Sequence, residues 1–307
     1  MVATVGRAHL LAGLVEAALA DPAVSELVAV VDGDDPASWA ELLSLTPFWP
    51  RLVAMRVSHR GHLAALEAGV RRASGEVVVL LDDDVLPGAG YATAHRRWHA
   101  ERRGLVVMGT MPVRPPTGRA DIATTLYARE YLAHCRALER GRRPVLDGLW
   151  MGNISLRRAD CLRVGLASEA FDGRYFYDRE LGFRLADAGL WGVFDPTIPA
   201  VHLHRRSDEA FLRDARRQGA SRARLHDLYP DRLGEFRPDH LVADLPAPVR
   251  RTIGVVGGTR LAPHLARVLL ATGSLAGSIG LEPLHERLAK LARRLSQWEG
   301  AVRRSAA

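Results

Sequence analysis

The chain has 307 residues, 48% of them hydrophobic, with 42 Lys and Arg against 35 Asp and Glu for a formal charge of +7. That is enough apolar material for a large core, and it excludes a disordered or disulfide-stapled chain. Cys135 and Cys161 are the only cysteines, without metal-ligand spacing, which fits a reducing compartment, and since Lys290 is the only lysine, the arginine-borne excess points to an anionic small molecule or a membrane surface more than to nucleic acid.

Met1 runs directly into Val2-Ala3-Thr4-Val5-Gly6-Arg7 with no basic region ahead of an apolar stretch, so no signal peptide is expected. The most apolar long window, Leu261 to Leu281, contains His264, Arg267 and several glycines and falls short of a spanning helix. The expected location is the cytoplasm, with peripheral contact to a membrane as the only membrane role. Residues 2–5 read as a strand shortened at its start, with a few residues expected upstream. Ala8 to Ala20 carries Leu10, Leu11, Leu14, Val15, Ala18 and Leu19 at helical spacing, and Asp21-Pro22 ends it. Leu27 to Val31 is a buried strand ending in Asp32-Gly33-Asp34-Asp35. Pro36 to Pro50 is a loop or short helix, Leu52 to Val57 a third strand, and His62 to Arg72 a helix with Leu63, Leu66 and Val70 on one face.

Val77 to Leu81 is an uninterrupted apolar run that ends in Asp82-Asp83-Asp84. Strands separated by single helices imply right-handed crossovers and a parallel sheet, so Asp32 and Asp82 are expected at one sheet edge, where open α/β sheets bind ligands. Three adjacent carboxylates call for a positive partner. Asp82 and Asp84, one residue apart across a tight turn, suit Mg²⁺ or Mn²⁺ as oxygen ligands. The plain alternative, turn-forming aspartates after a strand, accounts for one or two acids but not for the third, and it accounts better for Asp32 alone.

Gly90 to Arg103 is a helix and Gly104 to Gly109 a strand, after which Arg114-Pro115-Pro116-Thr117-Gly118 breaks the pattern. This divides a first half, 1–118, from a second, 119–230. Ala120 to Arg140 is helical. Trp150 to Arg158 holds Gly152-Asn153 and a strand, Asp178 to Gly189 is a helix with Asp178 at or near its N-cap, and short strands over Trp191 to Pro196 and Ile198 to His202 deliver His202 and His204. These two histidines alternate along a strand and are expected on opposite sides, so that at most one is a ligand. Asp178 in turn fits a helix cap as well as a catalytic base. Ser207 to Leu228 is a basic helix, either a solvated face or a source of charge for a diphosphate.

Together, Asp32, Gly75-Glu76 leading into Leu81-Asp82-Asp83-Asp84, Gly152-Asn153-x-Ser155-x-Arg157-Arg158, Phe171-Asp172, Asp178-x-Glu180-Leu181-Gly182-x-Arg184-Leu185 and His202 resemble family 2 glycosyltransferases of the GT-A fold. The likeness covers about residues 2–230 and rests on the order of the motifs. It implies a Rossmann-like, mostly parallel sheet flanked by helices, with residues 1–118 binding a nucleotide-diphosphate sugar and 119–230 the acceptor. It also implies Asp32 at the base or ribose, Asp82 and Asp83 on the donor, Asp84 and His202 at the metal, and Asp178 as the base of an inverting transfer. Two departures stand out: Tyr177-Asp178 replaces the usual Glu-Asp pair, leaving Glu180 as a second candidate base, and Ala65-Leu66-Glu67 replaces Ala-Arg-Asn. The competing readings are a nucleotidyltransferase acting on a sugar phosphate, which would use a Gly-rich loop of which Gly6-Arg7 is a thin version, and a non-catalytic sugar-nucleotide-binding protein.

Residues 246–307 differ in composition and are expected to form a helical extension. From Leu281 to Arg304, Leu281, Leu284, Leu288, Leu291, Leu295 and Trp298 recur at three- and four-residue steps between basic residues. Such a stripe either packs on the domain or a second subunit or lies on an anionic bilayer.

Overall fold

The computed structural model describes residues 1–114, 121–171 and 175–304. The predicted boundary at Pro115-Pro116-Thr117-Gly118 and Asp172 of the Phe171-Asp172 pair lie outside the described residues. The strands are β1 Val2–Thr4, β2 Leu27–Asp32, β3 Leu52–Val57, β4 Val77–Asp82, β5 Val85–Pro87, β6 Leu105–Met108, β7 Asn153–Arg157, β8 Trp191–Phe194 and β9 Ala200–His202. The helices are α1 Ala8–Leu19, α2 Pro36–Leu45, α3 His62–Arg72, α4 Tyr91–Glu101, α5 Ile122–Glu139, α6 Arg158–Val164, α7 Tyr177–Asp187, α8 Asp208–Leu228, α9 Pro230–Leu233, α10 Ala247–Val256, α11 Ala262–Ser278 and α12 Glu282–Arg304. They pack into two compact units.

The first unit takes Met1–Arg114, Tyr131–Ser168 and Leu181–His204. Its seven-stranded sheet has the order β3-β2-β1-β4-β7-β6-β8. Helical crossovers make β1 to β4 parallel, β6 runs parallel to β8, and β7 is antiparallel to both of its neighbours. The expectation of a mostly parallel sheet flanked by helices holds. Strand β2 is buried along its whole length because both faces are covered. Leu27, Ala29 and Val31 share a core with Leu11 and Leu14 of α1 and Leu42 of α2, while Val30 faces Gly69 of α3, where a Cβ would come within 2.9 Å of it. The segment after Asp35 is a helix rather than a loop. Pro36 occupies its first turn and the Asp35 carboxylate accepts from the Ser38 amide at 3.1 Å.

Between α4 and β7 lies a polar network that is closed to solvent. His95 Nε2 donates to Asn153 Oδ1 at 3.0 Å, Ser155 Oγ donates to His95 Nδ1 at 2.8 Å, and His99 Nε2 donates to Ser155 Oγ at 2.8 Å. Asn153 Nδ2 donates onward to the Thr110 carbonyl at 3.0 Å. The His95 ring must be neutral, since its Nδ1 accepts while its Nε2 donates, and burial pushes the His95 pKa down to about 4. A lowered folded-state pKa means that the unfolded chain binds the proton first, so stability is complete above the unfolded value near 6.5 and is lost as pH falls toward 4. Thermal melts should show wild type losing about 3 kcal/mol more than His95→Gln between pH 7 and 4. Parallel pH profiles for the two proteins would remove His95 from this role.

The second unit comprises residues 121–130, 169–171, 175–180 and 205–304. Helix α8 starts at Ser207, whose side chain caps the Ala210 amide at 3.3 Å. Phe211, Ala223, Ile253, Ala266, Leu270, Ala292, Leu295 and Trp298 belong to one core. Helices α8 and α12 cross closely through two glycines: a Cβ on Gly219 would strike the Gln297 carbonyl, and one on Gly300 the Arg216 carbonyl. Arginines on and just before α8 pair inside the unit, Arg206 with Asp214 at 3.4 Å and Arg216 with the fully buried Glu299 at 3.2 Å. The stripe of α12 is buried only toward its end, where Leu295 is 2% and Trp298 7% exposed, while Leu281 and Leu284 at its start are 49% and 42% exposed. No helix among the described residues is long and apolar enough to cross a membrane.

Candidate active site

The parallel strands bring Asp32 and Asp82 to one sheet edge, separated by β1: Ala3 is in register with Val30 on one side and with Asp82 on the other. Each carboxylate of the two acidic runs has a different task. Asp32 is buried, accepting from the Arg60 and Gly61 amides at 3.0 and 3.1 Å and pairing with His59 Nδ1 at 2.9 Å. It thereby holds the turn after β3. Asp34 is open to solvent and paired with Arg56. Gly33, Asp34, Arg56, Val57, Ser58 and His59 line an open recess of about 330 Å³ beside it.

Asp82 is half-buried and meets His62 Nε2 at 3.4 Å. Burial opposes charge on His62, yet the bond to Asp82 and the nearby acids outweigh it and hold its pKa above the ordinary value. The 59–62 turn therefore brings one histidine to each acidic strand end. Asp83 turns into the protein, where Thr4 Oγ1 donates to it at 2.7 Å and Arg7 at 2.8 Å. Its pKa is pushed up by burial, with Arg7 working against that. The same Arg7 nitrogen lies 2.6 Å from Asp84 Oδ2. Burial alone would raise the Asp84 pKa, but the His202 bond and the Arg7 charge outweigh it and keep the carboxylate ionised.

Asp84 and His202 come together, Nε2 to Oδ1 at 3.1 Å. Antiparallel pairing of β5 with β9 sets Val85 opposite His202, and the Leu203 amide donates to the Asp84 carbonyl at 2.7 Å. The expected separation of His202 from His204 does not occur. Strand β9 ends at His202, so the alternation that would place His204 on the far side stops there, and the two rings lie 5.1 Å apart. Ligand atoms of Asp84, His202 and His204 all fall within 4.8 Å of one another. One carboxylate and two imidazoles make a mixed oxygen and nitrogen donor set that could hold a divalent metal ion.

The glycine before β7 is explained by Asp82. Gly152 has φ +112°, and a Cβ there would lie 2.9 Å from Asp82 Oδ2 and 2.6 Å from Met111 Sδ. Gly152→Ala should leave a folded protein with turnover down by at least about tenfold, from strain at positive φ and a displaced Asp82. Wild-type kinetics in that variant would show the contact to be idle.

The remaining motif residues hold the scaffold. Asn153 and Ser155 belong to the histidine network, Arg158 donates to the Val70 and Arg71 carbonyls at the end of α3 at 2.9 and 3.0 Å, and Arg184 to the Gly165 and Leu166 carbonyls at 2.6 and 2.7 Å. Glu67, where the resemblance leads one to expect asparagine, accepts from the Leu166 and Ala167 amides at 2.9 and 3.1 Å. The sequence of this region matches Glycosyl transferase family 2 over residues 1–161, just over half of the chain. The chain belongs to glycosyl transferase family 2.

No curated protein matches the chain by sequence. Among solved structures, the mannosyltransferase PcManGT from Pyrobaculum calidifontis, in complex with GDP-Man and Mn2+, is similar with a TM-score of 0.61 at 18% identity. That match covers 99% of this chain and 85% of the other. GalNAc-T7 with UDP, GalNAc and Mn2+ is similar with a TM-score of 0.53 at 15% identity, over 81% of this chain and 52% of that one. At these identities the likeness is one of fold, and the family 2 sheet described above is a GT-A fold. Asp178 sits in the second unit, in the first turn of α7 rather than ahead of it, half-buried, with Oδ1 accepting from the Arg179 amide at 2.8 Å. Two residues earlier, Phe176 has φ +65°, unlike any other non-glycine among the described residues. Glu180 is buried and accepts from the Tyr229 hydroxyl at 3.0 Å.

The sequence reading passed over Thr4, His59 and His62, and considered Arg7 only as a phosphate-loop residue. A usable signal existed: two histidines in the four residues 59–62, just past the carboxyl end of β3 and therefore at the ligand edge.

Proposed function

We propose that this protein transfers a hexosyl group from a nucleotide-diphosphate sugar to an acceptor hydroxyl, with inversion at the sugar carbon. The observation that carries the reading is the convergence of Asp84, His202 and His204 at the carboxyl edge of a family 2 sheet. These three residues would hold a divalent ion, and the two imidazoles favour Mn²⁺ over Mg²⁺, which prefers an all-oxygen shell. When bound, such an ion supplies positive charge that stabilises a diphosphate leaving group.

The chain's own residues supply the rest. The recess over Gly33, Asp34, Arg56 and His59 offers a carboxylate, a guanidinium and an aromatic ring to a nucleobase, with Asp32 fixing its 59–61 wall. Asp82, kept half-exposed by the absence of a side chain on Gly152, is assigned to the ribose. Asp178 is the proposed general base, taking the proton from the acceptor hydroxyl as that oxygen attacks. Its support is threefold: a half-exposed carboxylate, a strained residue just before its helix of the kind that gathers at functional sites, and the occupation of the rival Glu180 by Tyr229.

Incubation with a panel of nucleotide sugars and Mn²⁺ tests this. Release of nucleoside diphosphate is expected, faster with an acceptor alcohol than with water. Release of pyrophosphate from a nucleoside triphosphate and a sugar phosphate would instead make the protein a nucleotidyltransferase, and donor binding without release would leave it non-catalytic.

A further inference from the structure

Helix α11 is built inside out. Toward the core of its unit it presents Ala262, Ala266, Gly273, Ala276 and Gly277, with Leu270 the only large residue among its buried positions. Large side chains on the helix and at its two caps face water: Leu261 at the N-cap is 67% exposed, Val268 59%, Leu275 67% and Ile279 at the C-cap 69%, with Leu265 above a third. At about 100° per residue these five positions fall within an arc of about 80° and run for roughly 27 Å along the axis. An ordinary surface helix buries its large apolar residues and exposes its small and polar ones.

Charge adds a second and independent feature. Between Asp244 and Glu282 the sequence has no acidic residue, whereas Arg250, Arg251, Arg260 and Arg267 lie in that interval. All four arginines are exposed, and none has a carboxylate partner among the described residues. Arg260 and Arg267 flank the apolar arc on one side, with His264 between them and its edge.

We propose that the exposed face of α11 docks on an anionic lipid bilayer, lying in the interface with Leu261, Leu265, Val268, Leu275 and Ile279 toward the acyl region and Arg260 and Arg267 at the headgroups. This is the composition of an interfacial helix: a narrow apolar face, a cationic flank and too little hydrophobicity to span. A second copy of the chain fits worse, because a two-fold contact through this patch sets arginines against arginines with no acid to meet them. Of the α12 stripe, Leu295 and Trp298 lie in the core, while the exposed Leu281 and Leu284 follow directly on α11 in the chain.

Co-sedimentation of the full chain with phosphatidylcholine vesicles, with and without phosphatidylglycerol, tests the proposal. Wild type should pellet with the anionic vesicles, and salt should weaken the binding. The double variant Val268→Asp with Leu275→Asp should lose at least about tenfold in partitioning, and Arg260→Glu with Arg267→Glu should lose a similar amount, both with unchanged melting temperature. Since all four positions are exposed, either pair reports if the other fails to fold. Wild type that stays in the supernatant with both vesicle types overturns the proposal, as does an aspartate variant that pellets like wild type. A vesicle-blind dimer that dissociates on Val268→Asp with Leu275→Asp overturns it in favour of self-association.

Discussion

Asp84→Asn is expected to lower turnover by about 10³-fold and to abolish Mn²⁺-dependent binding of the nucleoside diphosphate product. The side chain keeps its shape but loses the charge that His202 and a cation would share, while Arg7 retains Asp83 as its partner. The fold should therefore survive, and the rise in melting temperature that Mn²⁺ produces in wild type should vanish. Calorimetry decides: unchanged diphosphate affinity in the presence of Mn²⁺ would refute the site. His204→Ala should fall in the same direction with a smaller loss, because one carboxylate and one imidazole remain.

Asp178→Asn should reduce turnover by about 10² to 10⁴-fold, with donor affinity unchanged. The amide preserves size and can still accept from the Arg179 amide through its oxygen, but it cannot take a proton from the acceptor. Glu180→Gln should behave differently. Its carboxylate is buried and bonded to Tyr229, so replacement by the amide should appear in the melting temperature more than in turnover. Rate loss in Glu180→Gln with wild-type turnover in Asp178→Asn would move the base by two residues.

Much of the fold was readable because its signals are local. Four apolar runs ended by turn residues, with helical spacing between them, specify β1 to β4 and their crossovers. The short strand β5 and the helix α6 escaped, since three and seven residues carry no clear period. The acid triplet was readable as a group, but the separate roles of its members were not. Asp83 turns inward to Thr4 and Arg7 and Asp84 toward His202, and those partners lie about 80 and 120 residues away in the chain. Distance in the chain also hid the task of Asn153 and Ser155, whose partners are histidines on α4. His204 was misjudged for a local reason: strand alternation was carried two residues past the end of β9.

The position of β7 bears on how the chain is made. Strand β6, at 105–108, pairs only with β7 and β8, while the open side of β4 is filled by β7 itself. During synthesis, residues 77–82 and 105–108 thus emerge well before 153–157, and until then β4 has one bare edge and β6 no partner. Unpaired apolar edges of this kind invite pairing with other nascent chains. A ribosome stalled at about residue 150, with β6 outside the exit tunnel and β7 not yet made, should hold a protease-sensitive, chaperone-bound intermediate that becomes resistant only after β7 has cleared the tunnel.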